Sequence, residues 1–425
     1  MTTTLSTRRT EDAPVAKPAG RACRFCGTAL TRTVVDLGMS PLCETYPSAA
    51  ELNRGEVFYP LHVYVCDDCF LAQLEQYESA ENIFSNYAYF SSYSDSWLQH
   101  AKAYCSLMTT RLGLNSRSLI VEVASNDGYL LQYFVQRNLP VLGIEPASNV
   151  AAVALAKNIP TLVRFFGADL ARQLAADGRH ADLLLGNNVL AQVPDLNDFV
   201  EGLAILLKPE GTLTLEFPHL LRLIERNQFD TIYHEHFSYF SLLTTIRILQ
   251  AHGLTVYDVE ELETHGGSLR VFASHAGNFP ISHRVYQLIQ DEQGAGLASA
   301  VGYQRFAGQV RETKLALIDF LTKAAREGKT VVGYGAPGKS ATLLHYCGIG
   351  KDSIEYTVDR SPHKQGKFLP GTHIPIYHPE RIRQTRPDYV LVLPWNLKEE
   401  IMGQLQYIRE WGGRFLVPIP RVTIY

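Results

Sequence analysis

The 425-residue sequence has no apolar run of the roughly 18 residues that a membrane-spanning helix needs. Its first residues, MTTTLSTRRTEDAPVAKPAG, lack the apolar core of a secretion signal. Both absences predict a cytoplasmic protein with no membrane partner. An excess of charge of one sign is also missing: the formal net charge is −4 and the pI is about 6.4. No overall field draws in nucleic acid or anionic lipid, so a polyanion site has to be local. Internal repeats of fixed short period are absent. Residues 1–20, rich in Thr, Arg, Ala and Pro, cannot bury much apolar surface and read as a flexible tail. The chain as a whole is 46% hydrophobic, enough for the cores of two or three domains. A monomer is the default expectation.

The seven cysteines fall into two groups. Cys23 and Cys26 form one C-x-x-C pair, and Cys66 and Cys69 a second. In a chain without a secretion signal, two such knuckles point to zinc rather than disulfides, because four thiolates complete a closed tetrahedral site. Cys43, Cys105 and Cys347 are scattered and read as small buried hydrophobes. A zinc ribbon can bind nucleic acid, but residues 27–65 are not basic, so a scaffolding role is expected of the module at 21–90.

From residue 118 onward apolar runs alternate with helical patterns, the mark of an α/β chain with mainly parallel sheets. Strands are expected at 118–125, 140–146, 181–188 and 212–218, followed by an antiparallel hairpin formed by 254–262 and 268–274. A parallel sheet ending in such a hairpin resembles the sheet of S-adenosylmethionine-dependent methyltransferases. A linker-like stretch around Gly277, Asn278 and Pro280 leads into a long amphipathic helix expected from about Leu297 to Arg326. Further strands (TVVGYG, SIEYTVD, DYVLVLP, RFLVPIP) predict a second, smaller α/β domain at 285–425, after a first at 91–284.

Two stretches in the first α/β domain have the composition of a site. In VEVASNDGYLL, Glu122, Ala124, Asn126 and Gly128 sit where the first strand turns into a helix, and small residues there let backbone approach a ligand. Glu145 ends the second strand roughly 20 residues later, where an acid accepts hydrogen bonds from a ribose. Phe165 offers an aromatic face for adenine, and Asn187 with Asn188 closes the pocket. A dinucleotide would call for a full G-x-G-x-x-G, which ASNDG is not, so S-adenosylmethionine is favoured over NAD. The second stretch, TIYHEHFSYFS, concentrates Tyr233, His234, Glu235, His236 and Tyr239. It lacks the i, i+4 histidine spacing of helical zinc motifs. A histidine beside a carboxylate suits proton abstraction near neutral pH.

GYGAPGKS, Gly333 to Ser340, matches the P-loop pattern of ATPases and kinases letter by letter. A P-loop enzyme also needs a downstream strand ending in a magnesium-binding Asp and enough chain to complete its sheet, and little chain follows Gly333. The next strand ends at Asp359, at the spacing of the ribose-contacting acid of a dinucleotide fold. The nucleotide-seat reading is therefore preferred to ATP hydrolysis.

The two C-x-x-C pairs, YAYFSSYSDSW, EVASNDGYLL, YHEHFSYFS, THGGSLRV and KQGKFLPGT together resemble the bacterial nucleotide-sugar C-methyltransferases of deoxysugar and antibiotic biosynthesis. The resemblance spans nearly all of the chain after the tail. It implies a zinc-binding module, a class I (Rossmann-like) S-adenosylmethionine methyltransferase domain and a smaller Rossmann-like C-terminal domain. The implied substrate is a 4-keto-6-deoxysugar linked to dTDP, methylated at carbon 3 or 5. His236 would be the base, with Tyr233, Glu235 and Tyr87 lining the site. Where relatives carry histidine in VLAHVPD, this chain has Gln192, which can donate a hydrogen bond but cannot titrate. The resemblance also implies Gly335, Ala336 and Lys339 near a diphosphate, with Asp359, His363, Lys367 and Asn396 around the nucleotide. An O- or N-methyltransferase is the rival enzyme and needs no carbon-acid base. A zinc-ribbon nucleic-acid-binding protein is the rival of another class and predicts salt-sensitive binding.

Overall fold

The computed structural model describes residues 21–425, so the tail at 1–20 lies outside the described residues. Three sheets organise the chain. The first joins Arg32–Ser40, Tyr59–Val65 and Ala72–Leu74 in antiparallel order. Its fourth strand is borrowed from far along the chain: Ser238–Tyr239 pairs with Gln73 and Ala72. The zinc module and the YHEHFSYF segment therefore share one ladder, which sequence periodicity did not reveal.

The central sheet has seven strands in the spatial order Leu254–Leu262, Ser268–His275, Leu207–Pro218, Ala181–Asn187, Ile120–Val123, Val141–Ile144, Thr161–Leu162. Six run in one direction, and Ser268–His275 alone runs antiparallel to both its neighbours. This is the class I methyltransferase arrangement, with its hairpin where the sequence placed it. Ile120–Val123 and Val141–Ile144 are buried at every position, as strands covered on both faces must be. Strand order reverses between Ile120–Val123 and Ala181–Asn187, and such a switch point opens a crevice at the carboxyl ends of the strands. The two-residue edge strand Thr161–Leu162 escaped prediction because it is too short to show alternation.

The third sheet runs Ile376–Tyr377, Thr357–Val358, Val331–Tyr334, Tyr389–Val392, Arg414–Val417, Thr423–Ile424, parallel except for the last pair. Numbered along this domain, the order is that of a dinucleotide-binding fold, with a second switch point beside Gly335. The expected helix from Leu297 begins later and covers Phe306–Arg326. Ahead of it the chain folds back so closely that a Cβ on Gly302 would lie 2.7 Å from the carbonyl carbon of Gly296, which no continuous helix allows. A further helix, His283–Gly294, occupies part of what reads as linker, and its Glu292 is fully buried. No described helix is long and apolar enough to cross a membrane.

The three units are welded together. One apolar cluster joins Val63 and Leu74 of the first sheet, Phe229 and Ile232, and Val332 and Leu391 of the third sheet. A second joins Cys66 and Leu71 to Leu213 and Leu249 around the central sheet. Residues 219–240 lie at the junction of all three units, so side chains in this segment face more than one of them.

Candidate functional site

The four knuckle cysteines converge, with all ligand atoms within 4.8 Å of one another. Sγ–Sγ separations are 3.5 Å for Cys23–Cys69, 3.4 Å for Cys26–Cys66 and 3.7 Å for Cys26–Cys69. A tetrahedral site with Zn–S near 2.3 Å needs sulfurs about 3.8 Å apart, so the cage fits zinc. Donors that steady thiolates are in place: Gln73 Nε2 reaches Cys23 Sγ at 3.2 Å and the Asp68 N–H reaches Cys66 Sγ at 3.4 Å. Among the described residues this is the one cluster of metal-ligand type.

A cleft of about 900 Å³ opens between the two α/β domains. On the first-domain wall lie Ala124, Asn126, Glu145, Phe165, Asn187 and Asn188. The Glu145 carboxylate is held in place by backbone: Oε2 accepts from the Asn126 N–H and Oε1 from the Ala147 N–H, each at 2.9 Å. Each oxygen keeps a further lone pair for a ligand hydroxyl. The side-chain oxygens of Asn187 and Asn188 are buried without partners, an open acceptor pair suited to a cationic ligand. Two predicted residues lie behind this wall. Glu122 is fully buried in its strand, and burial pushes its carboxyl well above the usual range. Gly128, with φ +76°, lets the loop press on Ile159; a Cβ there would lie 2.4 Å from Ile159 Cδ1.

The floor comes from Thr231, Tyr233, Glu235 and His236 and from Tyr87 and Gln192, all bordering the cleft. The HEH triplet splits. His234 turns toward the zinc module, its Nε2 3.1 Å from the Pro60 carbonyl and its ring against Tyr59 and Tyr77. His236 stays in the cleft, packed on Tyr233 at 4.1 Å between ring centroids. A carbonyl only accepts, so His236 Nδ1 donates to the Thr231 carbonyl at 3.1 Å and Nε2 keeps its lone pair. Burial, opposed by the Thr231 hydrogen bond and helped by the charge of Lys339, lowers the His236 pKa to about 4. The imidazole is therefore a neutral base. Beside it Tyr87 donates to Glu235 Oε2 at 2.8 Å and Cys43 donates to Oε1 at 3.4 Å. Burial and the neighbouring Glu44 raise the Glu235 carboxyl to about 7.

The far wall belongs to the third sheet. Gly335, with φ +89°, lies against Pro394, where a Cβ would come within 2.5 Å. Lys339 reaches Asn396 Oδ1 at 2.7 Å and lies over the Trp395 ring at 4.6 Å. Asp359 repeats the Glu145 arrangement: its Oδ2 accepts from the Ala336 N–H and its Oδ1 from the Ser361 N–H, each at 2.8 Å. The GYGAPGKS loop thus spends its Ala336 N–H on Asp359, and Pro337 has none to offer, so it does not present the run of amides that cradles phosphates in a P-loop. Ala336 itself is buried behind the wall. His363 and Lys367 border a neighbouring hollow of about 630 Å³ rather than the cleft. His363 stacks on Phe90 at 5.5 Å and its Nε2 lies 3.1 Å from the Tyr93 hydroxyl, joining the two domains.

The sequence reading missed two cleft residues. Lys364, between His363 and Lys367 in effect, is buried and bonded to the Tyr46 hydroxyl at 2.8 Å, the Ala336 carbonyl at 2.9 Å and Glu44 at 3.3 Å. His265 sits in THGG, which carried no role. No local pattern marks either, since their partners are far away in the chain.

A C-methyltransferase C-terminal domain model matches residues 263–420, a methyltransferase domain model 97–259 and a zinc-binding domain model 23–84. The chain is 37% identical over 403 residues to C-methyltransferase NovU of Streptomyces niveus, covering 95% of this chain and 96% of that one. The chain belongs to the C-methyltransferase family. Among solved structures it is similar to magnesium protoporphyrin IX methyltransferase of Synechocystis PCC 6803, at 16% identity and a TM-score of 0.33, over 42% of this chain and 79% of that one. It is also similar to the glycopeptide N-methyltransferase MtfA, at 13% identity and a TM-score of 0.33, over 41% and 96% respectively. This C-methyltransferase uses S-adenosylmethionine and carries a zinc-binding module. The first-domain crevice fits that cofactor: Glu145 offers acceptors for ribose hydroxyls, Phe165 an apolar face, and Asn187 and Asn188 unpartnered oxygens for a positively charged group.

Proposed function

We propose that the enzyme methylates a ring carbon next to the ketone of a dTDP-linked 4-keto-6-deoxysugar, at carbon 3 or 5, as a cytoplasmic monomer of deoxysugar and antibiotic biosynthesis. The observation that carries this reading is His236: a neutral imidazole with Nδ1 tied to the Thr231 carbonyl, bordering a cleft shared by two nucleotide-type crevices. The proposal divides the chain into the zinc module at 21–90, the methyltransferase domain at 91–284 and a nucleotide-sugar domain at 285–425.

His236 Nε2 takes the proton from the carbon beside the ketone, and the charge spreads onto the ketone oxygen as an enolate. Gln192 borders the same cleft and can donate a hydrogen bond without exchanging a proton. Glu235 fixes the Tyr87 hydroxyl, and Tyr233 braces the imidazole face. When bound, S-adenosylmethionine supplies a methyl group made electrophilic by its sulfonium. The protein's part is to hold the nucleophilic carbon in near-attack geometry, which can lower the barrier by about 7–11 kcal/mol. Lys339 suits a diphosphate as a point charge, and Asp359 and Asn396 suit the nucleoside.

The test is mass spectrometry of dTDP-4-keto-6-deoxysugars incubated with the enzyme and S-adenosylmethionine in deuterated buffer, repeated with His236→Asn. One methyl gained on a ring carbon, with deuterium uptake lost in the variant, supports the reading. Methyl transfer to oxygen or nitrogen that survives His236→Asn would overturn it.

A further inference from the structure

His265 is the second imidazole on the cleft, and its surroundings are built to hold it in one state. It is a non-glycine residue at φ +53°, ψ +21°, a left-handed conformation that a side chain adopts at some cost. The loop is clamped there from several sides. Thr264 Oγ1 donates to Glu216 Oε1 at 3.0 Å, and the Gly266 carbonyl accepts from Gln228 Nε2 at 2.6 Å and Arg226 Nη1 at 2.8 Å. Gly266 lies so close to Trp395 that a Cβ would meet its ring at 2.6 Å. Glu216 is fully buried and accepts from Arg270 at 2.7 Å and His100 at 2.9 Å.

The ring has a defined tautomer. The Asn188 amide nitrogen lies 3.2 Å from His265 Nε2 and can only donate, so Nε2 accepts and the proton of the neutral ring sits on Nδ1. The edge of the ring meets Trp97 at 5.0 Å between centroids. Burial and the charge of Lys339 lower its pKa to about 4, so the ring is uncharged at neutral pH. This is the mirror of His236, where Nδ1–H is consumed by backbone and Nε2 is the free lone pair. One cleft thus holds an imidazole poised to accept a proton and another poised to donate a hydrogen bond.

We propose that the Nδ1–H of His265 hydrogen-bonds to the substrate ketone oxygen and stabilises the enolate formed when His236 removes the adjacent proton. This rests on the carbon-acid reading above. The C–H bond breaks with its proton going to His236 Nε2 and its electron pair spreading onto oxygen, while His265 keeps its own proton throughout. The pair then forms the carbon–methyl bond as the methyl–sulfur bond breaks, with that pair remaining on sulfur. A neutral imidazole is the right donor here, because it strengthens its bond as negative charge develops without surrendering the proton.

His265→Gly is the informative variant, since glycine adopts the left-handed conformation without strain and leaves a ring-sized hole. In full-length zinc-loaded enzyme with a dTDP-4-keto-6-deoxysugar, we expect kcat for methylation and the rate of deuterium wash-in to fall by about 100-fold or more. KM and the affinity for S-adenosylhomocysteine should stay within about threefold of wild type, and added imidazole should restore part of the rate. His265→Gln, which keeps an N–H donor, should lose less than His265→Gly. Wash-in and methylation by His265→Gly within threefold of wild type would overturn the donor role alone, as would a loss explained by weakened S-adenosylhomocysteine binding. A wild-type enzyme that neither exchanges nor methylates the sugar would overturn the carbon-acid reading and the donor role with it.

Discussion

Acidifying the assay separates a buried base from an ordinary one. At pH 5.5 a histidine with the ordinary pKa near 6.5 is only about 9% neutral, and a rate that depends on it drops roughly tenfold from its value at pH 8. His236, held at about 4 chiefly by burial with the charge of Lys339 adding to it, is about 97% neutral at the same pH. The His236-dependent part of kcat/KM for deuterium wash-in should therefore stay level from pH 8 to pH 5.5. Glu235, raised to about 7, titrates inside this window and can add its own bend. Glu235→Gln removes that group while leaving an acceptor for Tyr87, so the pH profile of the variant reports His236 alone. A level profile in Glu235→Gln down to pH 5.5 is the expected result. A tenfold fall centred near pH 6.5 in that variant would refute the argument, because it would mean that His236 is charged as easily as an exposed histidine.

The same carboxyl sets a stability difference. The folded-state pKa of Glu235 is raised above its unfolded value, so its contribution is present below about pH 4.5 and is lost as pH rises through about 7. Glu235→Gln should therefore raise the melting temperature at pH 8 relative to wild type and change it little at pH 4.5, read by calorimetry. Zinc removal should reach the active site although the cage is distant from the cleft in sequence, because Ala72–Leu74 pairs directly with Ser238–Tyr239, two residues past His236. Chelation, or Cys66→Ser, should abolish methyl transfer together with the native near-ultraviolet circular dichroism of the surrounding tyrosines. Loss of zinc with activity intact would show that the shared ladder does not need the metal.

Much of the scaffold was legible because the relevant signals are local. Alternating and continuous apolar runs marked the long strands of both α/β domains, and the two C-x-x-C knuckles predicted a cage whose sulfurs do converge. The gaps have particular causes. Two-residue strands such as Thr161–Leu162 and Ile376–Tyr377 are fixed by their neighbours in the sheet rather than by their own pattern. The start of the helix at Phe306, not Leu297, depends on the contact between Gly296 and Gly302.

The sequence by itself determined which chemistry was available: four thiolates at zinc spacing, small residues and acids at strand ends, and imidazoles beside a carboxylate. Only the tertiary structure decided which of these groups act together. Two residues apart, His234 and His236 bond to carbonyls at Pro60 and Thr231 and face different units. Lys364, rather than His363 or Lys367, enters the cleft, drawn in by Tyr46 and Glu44 of the zinc module. His265 acquires its tautomer from Asn188, which lies in a different strand–loop unit of the domain. Side-chain type is written residue by residue, whereas burial, protonation and tautomer are set by partners that the fold brings from elsewhere in the chain.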